Sequence, residues 1–192
     1  MNQLKALLYC VKAKPYLYEQ QKLVGDTFFT FEPFIKNKED IVNGKIVAEC
    51  DFEVEEIFEE LYGDLDWQHD YLPTTDTMSI VDLERKSCLN REELINYLKD
   101  KGYAIHIKNL HIFDEPKELS EYYSREKKMN TFDGYEWVCE SIDKAPQNMM
   151  YAQDEKEKQY ILISIKPEWL CKILNGDKTI EVRKKVLKEM LK

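Results

Sequence analysis

The chain has 192 residues, 43% of them hydrophobic, and a formal net charge of −9, enough apolar material for one domain with insertions or at most two small ones. The acid excess counts against a sequence-blind DNA binder, whose affinity rests on counterions displaced by a basic surface. No apolar run reaches membrane-spanning length, and the first residues lack the apolar stretch and small-residue cleavage site of a secretory signal, so a cytoplasmic protein without membrane partners is expected.

In chain order, residues 5–11 read as a strand and residues 28–35 as a second, aromatic-rich strand interrupted by Pro33. Asn43 and Gly44 mark a turn. From Ile46 onward, Ile46, Ala48, Cys50, Phe52 and Val54 alternate with Glu49, Asp51, Glu53 and Glu55, the signature of a half-buried strand. Its acidic row reads as a solvated face, because carboxylates spaced along one strand do not converge on a metal. Residues 61–86 show little periodicity and read as an insertion or long loop. Asn90 and Glu93 have the capping-box spacing, with Leu94, Ile95 and Leu98 on one side and Gly102 closing the helix.

Residues 103–113 read as a long strand whose apolar parity shifts near Asn109, which predicts a bulge. Asp114 is placed to cap a short helix that starts at Pro116 and runs through Glu118, Leu119 and Tyr122. Residues 124–143 read as a second, more mobile insertion, and the charged residues 152–159 as a joining linker. Residues 161–165 form an apolar, β-branched run, Pro167 suits a helical first turn, and Asn175–Gly176 supplies a left-handed stop. A further strand follows, with Ile180 and Val182 facing inward and Thr179, Glu181 and Arg183 sharing the other face. Residues 186–192 space their apolar positions as a small amphipathic helix.

Cys10, Cys50, Cys88, Cys139 and Cys171 are odd in number, scattered and without a Cys-x-x-Cys pair, so reduced, mostly buried thiols are expected, with no metal site and no cofactor. His106 and His111 point to opposite faces of a regular strand and carry little weight as ligands. Residues 166–192 hold eight Lys or Arg against four Asp or Glu, a local +4 that leaves −13 elsewhere. Folded over a cleft, this cationic part suits a phosphate-bearing ligand; as a tail it is simply solvated. Strands with a few helices, no internal repeat and no βαβ alternation indicate an α+β protein with a mixed, partly closed β-barrel.

Gly176, Lys178, Glu181 and Arg183 spell Gly-x-Lys-x-x-Glu-x-Arg after a strand and a helix. This segment resembles the opening of an ASCH domain, of the PUA-like superfamily. Residues 7–12, 43–51, 87–94, 103–113, 116–121 and 144–147 are similar to successive later blocks of ASCH proteins of phages and prophages. Each block occurs once and the first stands last, so the resemblance implies a single circularly permuted domain over residues 1–192. Exposed connections tolerate such cuts when the old termini lie close together. The alternatives are a tandem array cut at a domain border and a terminal segment exchanged between subunits, hence a monomer or a swapped dimer.

The resemblance implies a PUA-like pseudo-barrel with the first helix over one opening and a cleft beside it. Lys178, Thr179, Glu181 and Arg183 would line that cleft, with Tyr9, Lys12, Tyr103, His106 and Gln147 from other segments. A base stacks on tyrosine, bonds to Gln147 or Glu181 and leaves its phosphate near Lys178 or Arg183. The first functional expectation is therefore a binding module for RNA or a modified nucleoside or nucleotide. On its own, the Glu181–Arg183 arrangement also reads as an ion pair on a barrel surface.

A second expectation is catalytic. Some small ASCH proteins are amidohydrolases acting on N4-acylated cytidine, and that resemblance carries Lys178 and Glu181 as catalytic groups, although Glu181 stands where those enzymes have Thr. A lysine held neutral by burial or by Arg183 would activate water. Ribonuclease activity is supported more weakly, since no acidic metal cluster is evident. A third class is a phage-type protein that binds a host protein through its carboxylates, for which the acidic residues between Glu49 and Glu60 would serve; charge for solubility is the plainer account of them.

Overall fold

The computed structural model describes residues 4–11, 44–62, 70–99, 101–130 and 134–191. The expected aromatic-rich strand at 28–35, along with Lys12 and His69, falls outside them. Among the described residues nine strands form one sheet: β1 (Lys5–Cys10), β2 (Ile46–Tyr62), β3 (Asp70–Thr74), β4 (Gly102–Lys117), β5 (Tyr123–Asn130), β6 (Gly134–Ser141), β7 (Met149–Gln153), β8 (Gln159–Ile165) and β9 (Ile180–Arg183). Three α-helices accompany them among the same residues: α1 (Ile80–Ser87), α2 (Arg91–Leu98) and α3 (Pro167–Leu174). The hydrogen-bonded order is β6, β5, β7, β8, β1, β2, β4, β9, with β3 attached to β2. β1 and β8 run parallel, while β1–β2, β2–β3, β4–β9, β5–β6, β5–β7 and β7–β8 are antiparallel. The fold is thus α+β with a mixed sheet, as expected. Among the described residues, however, its path is open, ending at β6 and β9, and does not close into a barrel.

The chain divides into two compact units, each discontinuous in sequence. One comprises residues 1–51 and 110–174, the other residues 52–109 and 175–192. β2 and β4 contribute residues to both.

In the first unit, β1 is covered on both faces, so it reads as a continuous apolar run and not as an alternation. Leu7 and Tyr9 pack with Ile46, Tyr122, Ile142, Tyr160 and Leu162. Cys10 lies near enough to Cys171 of α3 that, after burial itself, this neighbour helps push its thiol up to about 12. β1 and β2 stay in register from Lys5–Asp51 to Leu8–Ala48 and then slip, Tyr9 pairing with Ile46. Val47 is the extra residue of that bulge. Within the segment 152–159, read as a joining linker, residues 154–158 are the tip of the β7–β8 hairpin. Asp154 closes it, its Oδ1 accepting from the Lys156 and Lys158 amides at 2.9 Å each, with Glu157 left-handed at φ 60°. Within the segment read as a second insertion, β5 and β6 pair antiparallel in unbroken register from Tyr123–Ser141 to Asn130–Gly134. The helix expected from Pro116 is absent: β4 continues to Lys117, and only a 3-10 turn, Leu119–Glu121, follows.

The core of the second unit joins Ile57, Met78, Ile80, Leu83, Leu94, Leu98, Ala104, Ile180 and Val182. Residues 61–86 are therefore no bare loop, since they carry β3 and most of α1. The Ser79 side chain caps α1 by accepting from the Asp82 amide, and Asn90 and Glu93 form the expected capping box of α2 at 2.9 and 2.8 Å. Ile95 faces outward at 36% exposure, unlike Leu94 and Leu98. α2 ends at Lys99, whose φ is positive at 69°, and not at Gly102. Asn109 is also left-handed, at φ 47°, which accounts for the parity shift read in β4 and coincides with the border between the units. The C-terminal segment makes a 3-10 turn, Lys188–Leu191, in place of the expected helix.

Gly102 opens β4 where the chain presses on α2 and β9. A Cβ there would collide with Leu98 Cδ2 and stand 2.9 Å from the Arg183 carbonyl oxygen. Because the second obstacle is backbone, Gly102→Ala is expected to cost about 1–3 kcal/mol. The check is urea unfolding: the midpoint should fall at constant m-value, and an unchanged midpoint would show that β9 yields freely.

Candidate functional site

The hairpin leading into β9 folds as its sequence dictates. Gly176 is left-handed at φ 81°, with nothing within 4 Å of where a Cβ would sit, so conformation alone selects glycine. β9 pairs with β4 through Tyr103–Arg183, Ala104–Val182, Ile105–Glu181 and His106–Ile180. Ile180 and Val182 enter the core, and Glu181 and Arg183 take the opposite face with Tyr103.

Residues 177–179 are joined to the C-terminal end of α1. The Thr179 amide donates to the Lys86 carbonyl at 2.9 Å, Cys88 Sγ to the Asp177 carbonyl at 3.4 Å, and Lys178 Nζ to the Ser87 carbonyl at 2.6 Å. Cys88 is the left-handed cap of that helix, at φ 56°. A helix ends on carbonyls without intrahelical partners and on the negative pole of its dipole. Lys178 satisfies both demands. Its Nζ also lies 3.4 Å from Glu181 Oε2, and Arg183 Nε lies 2.8 Å from Glu181 Oε1. Lys178 and Glu181 are only 2% and 8% exposed, so the three charges named from the sequence form one chain, two members of it inside the protein.

Thr179, also named from the sequence, has an exposed side chain and engages through its backbone, its carbonyl accepting from the Ile107 amide at 2.9 Å. His106 stands apart from Lys178, Glu181 and Arg183, on the other face of β4, with Nε2 2.8 Å from Glu55 Oε2. Tyr9 and Gln147 belong to the other unit.

Glu55 is what the sequence reading missed. Expected on a solvated face, it is half-buried and collects Thr75 Oγ1 at 3.2 Å and Thr77 Oγ1 as well as His106. Burial favours its neutral form, but the hydrogen bonds from Thr77, His106 and Thr75 outweigh that and hold its carboxyl below the usual range. A signal existed in Ile57, an apolar residue at the parity of the acidic row, which marks where β2 exchanges its inner and outer faces.

Among the described residues no three His, Cys, Asp or Glu side chains gather as metal ligands would, and no helix is long and apolar enough to cross a membrane. Cys10, Cys50 and Cys171 are buried, Cys88 is half-buried and Cys139 exposed, all of them free thiols. Comparison with known proteins finds no matching family model, curated protein or solved structure.

Burial lowers the Lys178 pKa below its ordinary 10.5, against the raising influence of Glu181. The folded lysine thus holds its proton less tightly than the unfolded one. Between its lowered value and 10.5 the unfolded chain binds more protons at this position, and stability contributed by Lys178 rises with pH. Urea titrations of wild type and Lys178→Met should show their stability difference moving in favour of wild type as pH climbs from neutrality towards 10.5. A flat or falling difference would mean that the amine is not desolvated.

Proposed function

We propose that the chain is a circularly permuted, PUA-like module of ASCH type that binds single-stranded RNA or a modified nucleotide along the open end of the β4–β9 pair. One observation carries the reading: cations and aromatic rings interleave there. Tyr103 lies directly across from Arg183, Lys184 Nζ is 5.1 Å from the Tyr97 ring centroid, and Lys184 and Lys185 are exposed. Bases stack on such rings while cations hold the phosphates. The local excess of Lys and Arg in an otherwise acidic chain favours the same end of the protein.

Under this reading Lys178 and Glu181 do not touch the ligand. They fix the hairpin to α1 and hold Arg183 by the ion pair at its Nε, at the end of β9 from which the exposed lysines follow. The permuted order is supported by the run β8, α3, turn, β9, which has the strand, helix, turn and strand of an ASCH opening. Parallel pairing of β8 with β1 brings this late segment beside the first strand.

A second reading, an amidohydrolase acting on N4-acylated cytidine, is favoured by one observation: burial drives Lys178 towards the neutral amine that a general base requires. Its 2% exposure counts against it, because water and substrate would have to reach the amine.

Fluorescence anisotropy with labelled oligouridine tests the first reading. Arg183→Ala and Lys184→Ala should each weaken binding and lower the slope of log affinity against log salt by about one; the melting temperature should stay nearly unchanged in Lys184→Ala and fall in Arg183→Ala, which removes an ion-pair partner of buried Glu181. Affinity equal to wild type in both variants would remove the proposal. For the second reading, N4-acetylcytidine should release cytidine with wild type but not with Lys178→Met, and absence of turnover by wild type rejects it.

A further inference from the structure

Among the described residues three strands have a strand neighbour on one side only: β3 beside β2, β9 beside β4 and β6 beside β5. An edge strand offers a row of backbone N–H and C=O groups on which another chain can pair, so folded proteins blunt such edges with short strands, prolines and lysines. β3 has five residues and contains Pro73, which has no N–H to offer. β9 has four and runs into exposed Lys184 and Lys185. β6 carries none of these devices: it has eight residues in unbroken register with β5 and holds no proline, lysine or arginine.

The hydrogen-bonding phase of that edge follows from the residue after it. The Ile142 amide donates to the Tyr122 carbonyl, so Tyr122 and Ile142 are a hydrogen-bonded pair. By alternation Ser124–Glu140, Glu126–Val138 and Lys128–Glu136 are hydrogen-bonded pairs too. The β6 residues between them, Tyr135, Trp137 and Cys139, therefore turn their N–H and C=O groups away from β5, along the open edge.

β5 meets β7 only where Tyr123 pairs with Gln153. Most of the β5–β6 ribbon thus has no third strand beside it among the described residues, and a two-stranded ribbon is marginally stable in water. A second copy of the chain meets this need better than a single extended peptide, since it adds two strands at once and pairs backbone to backbone. We infer that β6 is a self-association edge: two copies pair antiparallel through it about a two-fold axis, giving four strands in the order β5, β6, β6, β5.

The sequence of β6 selects the register. With Trp137 on the axis, pairing runs from Gly134 to Glu140 without a gap, and the outward groups of Tyr135, Trp137 and Cys139 meet one another. Glu136 then stands opposite Val138. Centred on Val138, the pairing would set Glu136 opposite Glu140, two like charges. Centred on Cys139, it would leave residues 134–136 without partners on the other β6. The edge lies within the first unit and uses neither Arg183 nor Lys184, so it is independent of the RNA-binding reading.

Sedimentation equilibrium of the full chain tests the association, and cysteine pairing tests the register. Wild type and Cys139→Ser should both form a dimer whose population rises with concentration. The Cys139 side chain is exposed, and Cys139→Pro removes an outward N–H from each copy but none from the ladder with β5. It should weaken dimerisation roughly tenfold or more, through two hydrogen bonds lost by symmetry, with far-UV circular dichroism unchanged. In the Cys139→Ser background, Glu136→Cys and Val138→Cys chains mixed under a mild oxidant should link to each other faster than either links to itself, because directly opposed Cα atoms lie within disulfide reach. A monomer at every concentration overturns the inference. So does a dimer that Cys139→Pro leaves intact, or one in which the mixed pair does not link preferentially.

Discussion

A lysine ammonium placed where a helix ends organises the second unit. Ammonium groups resist burial, and Lys178 is tolerated inside because three requirements meet at one point: the unpaired carbonyl of Ser87, the negative pole of α1, and the Glu181 carboxylate. Two neighbouring backbone and thiol contacts, from Thr179 to Lys86 and from Cys88 to Asp177, close the same junction. Hairpin and helix are thereby held as one piece, and β9 is directed along β4 with Arg183 at its end. Removing one member of such a buried pair costs more than the pair itself contributes, since the survivor is left charged and unmatched.

The two units share a device for long strands. β2 begins with Ile46, Ala48 and Cys50 buried, yet in the second unit the buried residue is Ile57, of opposite parity. β4 makes a comparable change around left-handed Asn109. A strand of strict period two serves one core on one face, so a strand that contributes to two cores has to change face between them. Glu55 sits at that change in β2, which is why it gathers Thr75, Thr77 and His106 and is not left in water.

Charge is sorted in the same way. Although the whole chain is acidic, the residues after β9 are basic, and aromatic rings accompany them at Tyr97 and Tyr103. The Lys178–Glu181 pair is buried behind this surface, so the proposed ligand meets Arg183 and the lysines after it.

Local signals were legible in the sequence because short-range physics settles them. The capping box at Asn90 and Glu93, the left-handed Gly176, the alternation of Ile180 and Val182 against Glu181 and Arg183, and the irregularity at Asn109 each depend on a few adjacent residues, and each is found in the structure. The grouping of Lys178, Glu181 and Arg183 was likewise readable from spacing along one hairpin. What the sequence left open depends on partners far away in the chain. That Lys178 caps a helix 91 residues upstream, that residues 61–86 build a core, that Glu55 is enclosed, and that the sheet runs open from β6 to β9 are decided only when distant segments meet. Burial and electrostatic pairing are properties of that meeting, and no periodicity within one segment encodes them.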